Sequence, residues 1–383
     1  MNELAKVCYL HIGTHKTGST SIQRFLSDSV KELESRGLLC PLFDRGKIDH
    51  DHKKLTVALT TFNQHHGNSE ILRKLAGMLR NESRDVIISA ETLSEKLPRP
   101  GVLEPVRKFF ADLGYRLHVI VYLRDQASYM NSRYVQEVKR FRYGGSFLSY
   151  LEGILGDPDS SFDYWEHYQP FINDPAIGFD PRSFSKAVKT GLLEDFVSTI
   201  PGLADGSLLK SYKRPHSMNP NAGTRSVFVA RLVTNSIEGP LAGLTERLAP
   251  TLRDHFLKHK WYEEPFVGLD ETLAKLVERR YAEGNNLLAR KFWGCEWDSL
   301  NPPSSWERKV FSFSDASPEE RGSVLRVAAR LMRQIGDPEM KPGKEVPAER
   351  PKPSKSRKER PKRGMFSGIL KLLGRSKERK LKR

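Results

Sequence analysis

The sequence has few of the features that define secreted, disulfide-bonded and membrane-spanning proteins. Its 383 residues include three cysteines, Cys8, Cys40 and Cys295, whose spacing matches neither a disulfide framework nor a zinc site. It has no apolar run long enough to cross a bilayer and no charged-then-apolar leader after Met1. The sequence therefore predicts a cytoplasmic protein with reduced thiols.

Acidic residues are outnumbered, but the imbalance is local. The formal net charge is +16, and residues 339–383 hold 17 Lys and Arg against 5 Asp and Glu, a net charge of +12. Subtracting these from the totals of 63 and 47 leaves 46 basic and 42 acidic residues in the rest of the chain, a net charge of +4. Because the body also lacks a basic stripe interleaved with aromatic residues, the sequence argues against a nucleic-acid partner.

The most informative stretch is residues 7–21, where an apolar strand runs into a turn rich in Gly, Lys, Ser and Thr and then into a helix. Gly13 and Gly18 permit a tight turn, Lys16 adds a positive charge, and N–H groups at a helix start attract anions. The residues predicted to bind a phosphate or sulfate are Gly13, Lys16, Thr17, Gly18, Ser19, Thr20 and Ser21, the last three through outward N–H groups. Nucleoside-triphosphate loops place Lys directly after the last Gly, whereas Lys16 precedes Gly18 by two residues.

This motif, with Gln23 after it, resembles the 5′-phosphosulfate loop of sulfotransferases that use 3′-phosphoadenosine 5′-phosphosulfate (PAPS), in their bacterial carbohydrate-modifying form. A second motif follows a predicted buried strand over residues 117–123: Arg124 stands at the strand end, and Ser132 lies two helical turns later. An Arg and a Ser at this spacing can converge on one phosphate. They resemble the family's 3′-phosphate site, so the resemblance implies PAPS as co-substrate.

Other candidate positions rest on weaker patterns. Glu91 stands at the end of an apolar strand, on the edge of the sheet where ligands bind. It resembles the strand-end Glu that acts as general base in heparan-type sulfotransferases, and the alternatives are a helix cap or an ion-pair partner for a nearby basic residue. His50 and His52 could suggest a metal pair, but no third ligand stands at a recognisable spacing, so the pair is more typical of a solvated helix start. His52 is kept only as a minor candidate for the substrate cleft. Lys213 and Arg214 resemble a basic loop that closes over the adenosine phosphate in the family, and the alternative is a solvated loop.

The pattern as a whole predicts an α/β fold: a three-layer α/β/α domain with a mostly parallel central sheet and a P-loop-like phosphosulfate loop. The predicted division is a catalytic domain over residues 1–300, a helical extension over 301–336 and a basic, Pro-rich linker and tail over 337–383. Secondary predictions are a helix over residues 21–36 and short strands over 176–179 and 207–214.

The resemblance implies a PAPS-dependent sulfotransferase that modifies a hydroxyl of a glycan or glycolipid and requires no metal. Lys16 would stabilise the developing charge and Glu91 would take the acceptor proton. Two alternatives stay open: a nucleotide-dependent kinase of the same fold, and a non-catalytic, membrane-associated polyanion-binding protein. Residues 365–375 group apolar side chains between basic clusters, which suits either a helix on the inner face of an anionic membrane or a disordered tail.

Overall fold

The computed structural model describes residues 6–41, 52–62, 69–158, 160–213, 221–237 and 243–336. Arg214 and the segment 337–383 lie outside these ranges, and so do the predictions that rest on them. Within the described ranges, no helix is long and apolar enough to cross a membrane.

A five-stranded parallel sheet forms the centre of the fold. The strands are β1 (Lys6–His11), β2 (Leu38–Leu39), β3 (Asp85–Ser89), β4 (Tyr115–Leu123) and β5 (Gly178–Ser183), in the spatial order β2-β3-β1-β4-β5. Leu10 of β1 pairs with Ile88 on one side and Val119 on the other. The central strands are largely buried, as expected where helices cover both faces. This arrangement confirms the predicted three-layer α/β/α fold.

Helices surround the sheet along the whole described chain. They are α1 (Ser19–Asp28), α2 (Val30–Ser35), α3 (Lys53–Thr60), α4 (Glu70–Leu79), α5 (Leu93–Lys96), α6 (Leu103–Ala111), α7 (Gln126–Lys139), α8 (Phe147–Leu155), α9 (Tyr164–His167), α10 (Gln169–Ile172), α11 (Phe184–Thr190), α12 (Leu192–Ser198), α13 (Ser207–Ser211), α14 (Thr224–Asn235), α15 (Leu244–Lys258), α16 (Glu271–Trp293), α17 (Trp297–Leu300) and α18 (Pro318–Gly336).

The two faces of the sheet bury separate apolar cores, because successive side chains of a strand point to opposite sides. The smaller core lies under α1 and α12 and includes Phe25 and Phe196. The larger core includes Phe110 of α6 on the opposite face. Val324 and Leu331 of α18 belong to this larger core, so the predicted helical extension packs as part of the body.

Two predicted elements differ from the structure. The strand predicted over residues 207–214 is wrong, because α13 occupies Ser207–Ser211. The Ser207 N–H donates to the Asp205 carboxylate at 3.1 Å, and such a side-chain acceptor favours a turn over an extended strand. The helix predicted over residues 21–36 is instead two helices, α1 and α2, which are separated at Ser29 by a φ of −107°.

Candidate functional site

β1 and β4 lie side by side at the centre of the sheet, and the chain leaves them toward opposite faces. After β1 it enters α1, whose Phe25 belongs to the smaller core, and after β4 it enters α7, whose Met130 belongs to the larger one. A crevice opens at the carboxyl edge of a parallel sheet where neighbouring connections diverge in this way. The β1–α1 loop (residues 12–18) and Arg124, just after β4, flank this position.

Backbone hydrogen bonds fasten the β1–α1 loop to the end of β4. The Tyr122 N–H donates to Gly13 O at 2.7 Å, and the Thr14 N–H donates back to Tyr122 O at 3.2 Å. Within the loop, Thr17 Oγ1 donates to Thr14 O at 2.7 Å. The Thr17 hydroxyl, a predicted ligand contact, is therefore occupied by a bond that shapes the turn.

Three residues of the loop adopt left-handed backbone conformations. Gly13 and Gly18 have φ of +106° and +75°, which glycine adopts without strain. A side chain at Gly13 would press on the Glu91 backbone, and one at Gly18 would overlap Leu192. Lys16 has φ of +66°, which is costly for a residue with a side chain. Strain of this kind clusters at functional sites, so the conformation of Lys16 favours a ligand-binding role.

The start of α1 offers two free N–H groups rather than the three predicted. The Ser21 N–H donates to Gly18 O at 2.9 Å and is already used. Among the described residues, the N–H groups of Ser19 and Thr20 donate to no other group, and no side chain caps this helix end. These two groups and the positive end of the helix dipole are available to an anion.

Lys16 and Arg124 bring two positive charges together at the crevice. Arg124 Nη1 donates to Lys16 O at 3.2 Å, while the buried Arg124 Nε has no hydrogen-bond partner in the described part of the chain. Lys16 Nζ donates to Asn221 Oδ1 at 3.1 Å. Burial and the charge of Arg124 lower the pKa of Lys16, with Glu91 acting in the opposite direction. An anion bound here would pair with both cations.

The other predicted contacts of the 3′-phosphate lie on α7 and after α13. Asp125 caps α7 by accepting a hydrogen bond from the Ser128 N–H at 2.7 Å, and Ser132 is half-buried two turns into the helix. Arg124 and Ser132 thus belong to one strand-to-helix unit. Lys213 follows α13 with its side chain exposed, and Arg214 lies outside the described residues.

Glu91, the predicted general base, contacts the residues around the β1–α1 loop. Its Oε2 accepts a hydrogen bond from Ser19 Oγ at 2.8 Å, and its Oε1 lies 3.0 Å from His15 Nδ1. Burial raises the pKa of Glu91, but His15, Ser19 and Arg140 outweigh it and lower the pKa to about 2. Glu91 is therefore ionised at neutral pH, yet a carboxylate with so low a pKa has little tendency to take a proton. The contacts favour a role in holding the loop.

The contacts of Glu91 continue into residues that the sequence reasoning missed. His15 is buried, and its Nε2 lies 3.5 Å from Glu95 Oε1. Arg133 Nη2 lies 3.0 Å from the same Glu95 oxygen. His15 Nδ1 forms no well-aligned hydrogen bond among the described residues, and Glu91 Oε1 is the carboxylate oxygen beside it. Glu95 stands four residues after Glu91, a spacing that could have suggested a shared role.

His52, the minor candidate for the substrate cleft, lies in the interior. It is 4% exposed, and its Nδ1 accepts a hydrogen bond from the Ser89 N–H at 3.1 Å. Burial lowers the pKa of His52 to about 4, so the ring is neutral. This placement argues against contact with a substrate. In the described ranges, no three His, Cys, Asp or Glu side chains converge as metal ligands would.

Comparisons with known proteins leave the function open. No family model matches the chain, and no curated protein matches it significantly. Among solved structures, one from a study of the PezAT toxin–antitoxin system of Streptococcus pneumoniae is 13% identical and has a TM-score of 0.25. The match covers 48% of this chain and 71% of that chain. A likeness this low carries no argument about function, which therefore depends on the geometry of the site.

Proposed function

We propose that the protein is a sulfotransferase that moves the sulfuryl group of PAPS to a hydroxyl of a glycan or glycolipid. The observation that carries this proposal is the junction of two cations from neighbouring strand ends, joined by the 3.2 Å bond between Arg124 Nη1 and Lys16 O. A nucleotide with anionic groups at its 3′ and 5′ positions needs one anchor for each. Lys16 precedes Arg124 in the chain, which is the order of the 5′-phosphosulfate loop and the 3′-phosphate site in the family that the two motifs resemble.

The unpaired polar groups of the site suit such a donor. The N–H groups of Ser19 and Thr20, together with Lys16, would hold the 5′-phosphosulfate, and Arg124 with Ser132 would hold the 3′-phosphate. When bound, the donor supplies the sulfuryl group and leaves as adenosine 3′,5′-bisphosphate. While the bond from sulfur to the 5′-phosphate oxygen breaks, Lys16 and the N–H groups stabilise the negative charge that grows on that oxygen.

The acceptor hydroxyl must lose its proton as its oxygen forms a bond to sulfur and the bond from sulfur to the 5′-phosphate breaks. Glu91, a carboxylate in contact with the first residue of α1, is the base that the resemblance implies, and its low pKa weighs against that role. Its bond to Ser19 supports a second role in holding the loop. A base role predicts slower turnover of Glu91→Gln with nucleotide binding retained, whereas a holding role predicts weaker nucleotide binding.

Calorimetry with adenosine 3′,5′-bisphosphate tests the donor site. Lys16→Ala and Arg124→Ala should each weaken binding by about 1.5–3 kcal/mol, the range for hydrogen bonds to charged groups. Lys108→Ala removes an exposed cation that contacts Asp112 on the surface, and it should bind like the wild type. Equal affinity of the wild type and Arg124→Ala would remove the 3′-phosphate assignment.

Two further measurements separate the alternatives. A kinase would bind ATP with Mg²⁺ more tightly than it binds adenosine 3′,5′-bisphosphate. A non-catalytic polyanion-binding protein would transfer no label from radiolabelled PAPS to cytosolic or membrane glycan extracts. Transfer of label supports the sulfotransferase and identifies the acceptor.

For the basic tail we propose reversible binding to an anionic membrane surface, which would bring a cytoplasmic enzyme to lipid-linked glycans. The support comes from the sequence: residues 339–383 carry a net charge of +12, and the spacing of Phe366, Ile369, Leu370 and Leu373 would group them on one side of a helix. Each Lys or Arg near an anionic leaflet contributes about 1 kcal/mol. Inserted apolar side chains add to this attraction.

A further inference from the structure

A second group of cations lies at the C-terminal end of α7, outside the predicted motifs. Lys139 and Arg140 stand at this end, and they line a cavity of about 330 Å³ together with Arg253 of α15. Apolar groups such as Phe256 form part of the wall. A cavity of this size, with a few charged groups in an otherwise apolar lining, is typical of a small-ligand site.

The cations of this cavity have no ion-pair partner in the part of the chain that the structure describes. Among the described residues, Lys139, Arg140 and Arg253 form no ion pair, and Asp254 is the one acidic residue that lines the cavity. Arg140 Nη1 lies 3.0 Å from the amide oxygen of Gln136 in its hydrogen-bonded orientation. Because Gln136 is neutral, it satisfies a hydrogen bond without compensating the charge.

The cavity adjoins the candidate site. Burial lowers the pKa of Lys139 to about 8, together with the positive charges of Lys16, Arg140 and Arg253. Burial and the charge of Arg142 lower the pKa of Arg140, which Glu137 and Glu91 raise in part. The geometry agrees: Arg133 of α7 lies 3.0 Å from the Glu95 oxygen that His15 of the β1–α1 loop approaches to 3.5 Å, and Arg140 stands two turns after Arg133 on the same side of α7. Lys139 and Arg140 are half-buried, so their like charges repel each other, and a bound anion offsets that repulsion.

We propose that the acceptor is itself acidic, and that a carboxylate, phosphate or sulfate group on the glycan binds between α7 and α15 and presents a neighbouring hydroxyl to the β1–α1 loop. This inference rests on the proposed sulfotransferase function and specifies its substrate class. A neutral glycan would leave Lys139 and Arg140 unpaired, so the cavity selects against it. A confined cavity beside the loop favours a substrate group over a nucleic acid, which needs an extended basic surface.

Calorimetry on the full chain with adenosine 3′,5′-bisphosphate already bound measures this cavity separately from the donor loop. Trigalacturonate is the acidic probe, maltotriose is the neutral trisaccharide and sodium sulfate is the free anion. Arg140→Gln and Lys139→Gln each remove one charge from the cavity. Lys258→Gln is the matched control, since it removes one exposed charge from α15 at a position that does not line the cavity.

The wild type and Lys258→Gln should bind trigalacturonate equally, and about tenfold or more tightly than maltotriose. Arg140→Gln and Lys139→Gln should each lose about ten- to hundredfold in affinity, the factor for one hydrogen bond to a charged group. Equal binding of the two trisaccharides, or equal trigalacturonate binding by the wild type and both cavity variants, overturns the proposal. Sulfate that binds as tightly as trigalacturonate would also overturn the proposal, because equal affinity would indicate a site for free anions.

A failure of the proposed function gives a different result. Absence of bisphosphate binding would refute the donor site, and the trisaccharide titrations repeated without nucleotide would still test the cavity. Bisphosphate binding together with equal affinity for the acidic and neutral trisaccharides would refute only the acidic acceptor.

Discussion

Replacing Glu91 by Gln should lower the free energy of unfolding at neutral pH, and the difference from the wild type should become smaller at acidic pH. Gln keeps the shape of the side chain and can still accept the hydrogen bond that Ser19 Oγ donates at 2.8 Å. It cannot attract His15, whose Nδ1 lies 3.0 Å from Glu91 Oε1, through a negative charge. The variant therefore imitates the protonated form of Glu91.

The magnitude follows from the pKa of Glu91, which folding lowers from its ordinary value of 4.5 to about 2. A lowered pKa contributes stability that is present above the ordinary value and is lost as the pH falls through the lowered one. The difference between these two pKa values corresponds to about 3 kcal/mol in the free energy of unfolding. Because the side chain is 28% exposed, solvent screening makes this an upper limit. We expect a loss of about 1–3 kcal/mol at pH 7 that narrows between pH 4.5 and pH 2.

Urea unfolding of the wild type and Glu91→Gln, repeated at intervals from pH 7 to pH 3, measures this loss. Glu104→Gln is the control, because Glu104 forms an exposed ion pair with Arg107 and should leave stability unchanged. Equal stability of the wild type and Glu91→Gln at pH 7 would refute the described environment of Glu91. Turnover on the same samples should fall by about 10²–10⁴-fold if Glu91 is the base.

Gly18→Ala should lower the melting temperature more than Gly37→Ala does. Both glycines have φ near +75°, but only a Cβ at Gly18 would overlap Leu192. Equal decreases in melting temperature by scanning calorimetry would contradict that packing. Ser132→Ala should weaken bisphosphate binding by about 1 kcal/mol, and unchanged affinity would remove Ser132 from the 3′-phosphate site. Deleting residues 337–383 should preserve transfer to a soluble acceptor and abolish flotation with anionic liposomes; full-length protein that fails to float at low salt would contradict the membrane role.

The central sheet and the position of the site are predictable because they depend on local patterns. β1, β3 and β4 are apolar runs of the length of buried strands, and the carboxyl ends of parallel strands meet at one edge. This rule predicts that Lys16, Glu91 and Arg124 lie near one another without knowledge of the strand order. The structure brings them together at the ends of β1, β3 and β4.

The rest depends on contacts between distant parts of the chain. A strand is predicted over residues 176–179, whereas β5 occupies Gly178–Ser183, because its ladder with β4 outweighs a sequence interrupted by Asp180 and Pro181. The contact of His15 with Glu95 forms only when α5 packs beside the loop. Lys139 is an ordinary helix-end cation in the sequence and becomes part of a cavity only through the packing of α15.

The order of strands in the sheet has a consequence for synthesis. β1 precedes its partners in the chain, and Lys6 pairs with Tyr115, more than a hundred residues further on. A nascent chain cannot complete the crevice until β4 has left the ribosome, which takes on the order of ten seconds at typical rates of translation. β3 can pair with one edge of β1 earlier, but until β4 emerges the other edge of this apolar strand is unpaired, a form prone to aggregation. β1 is therefore the segment on which a chaperone at the ribosome would act first.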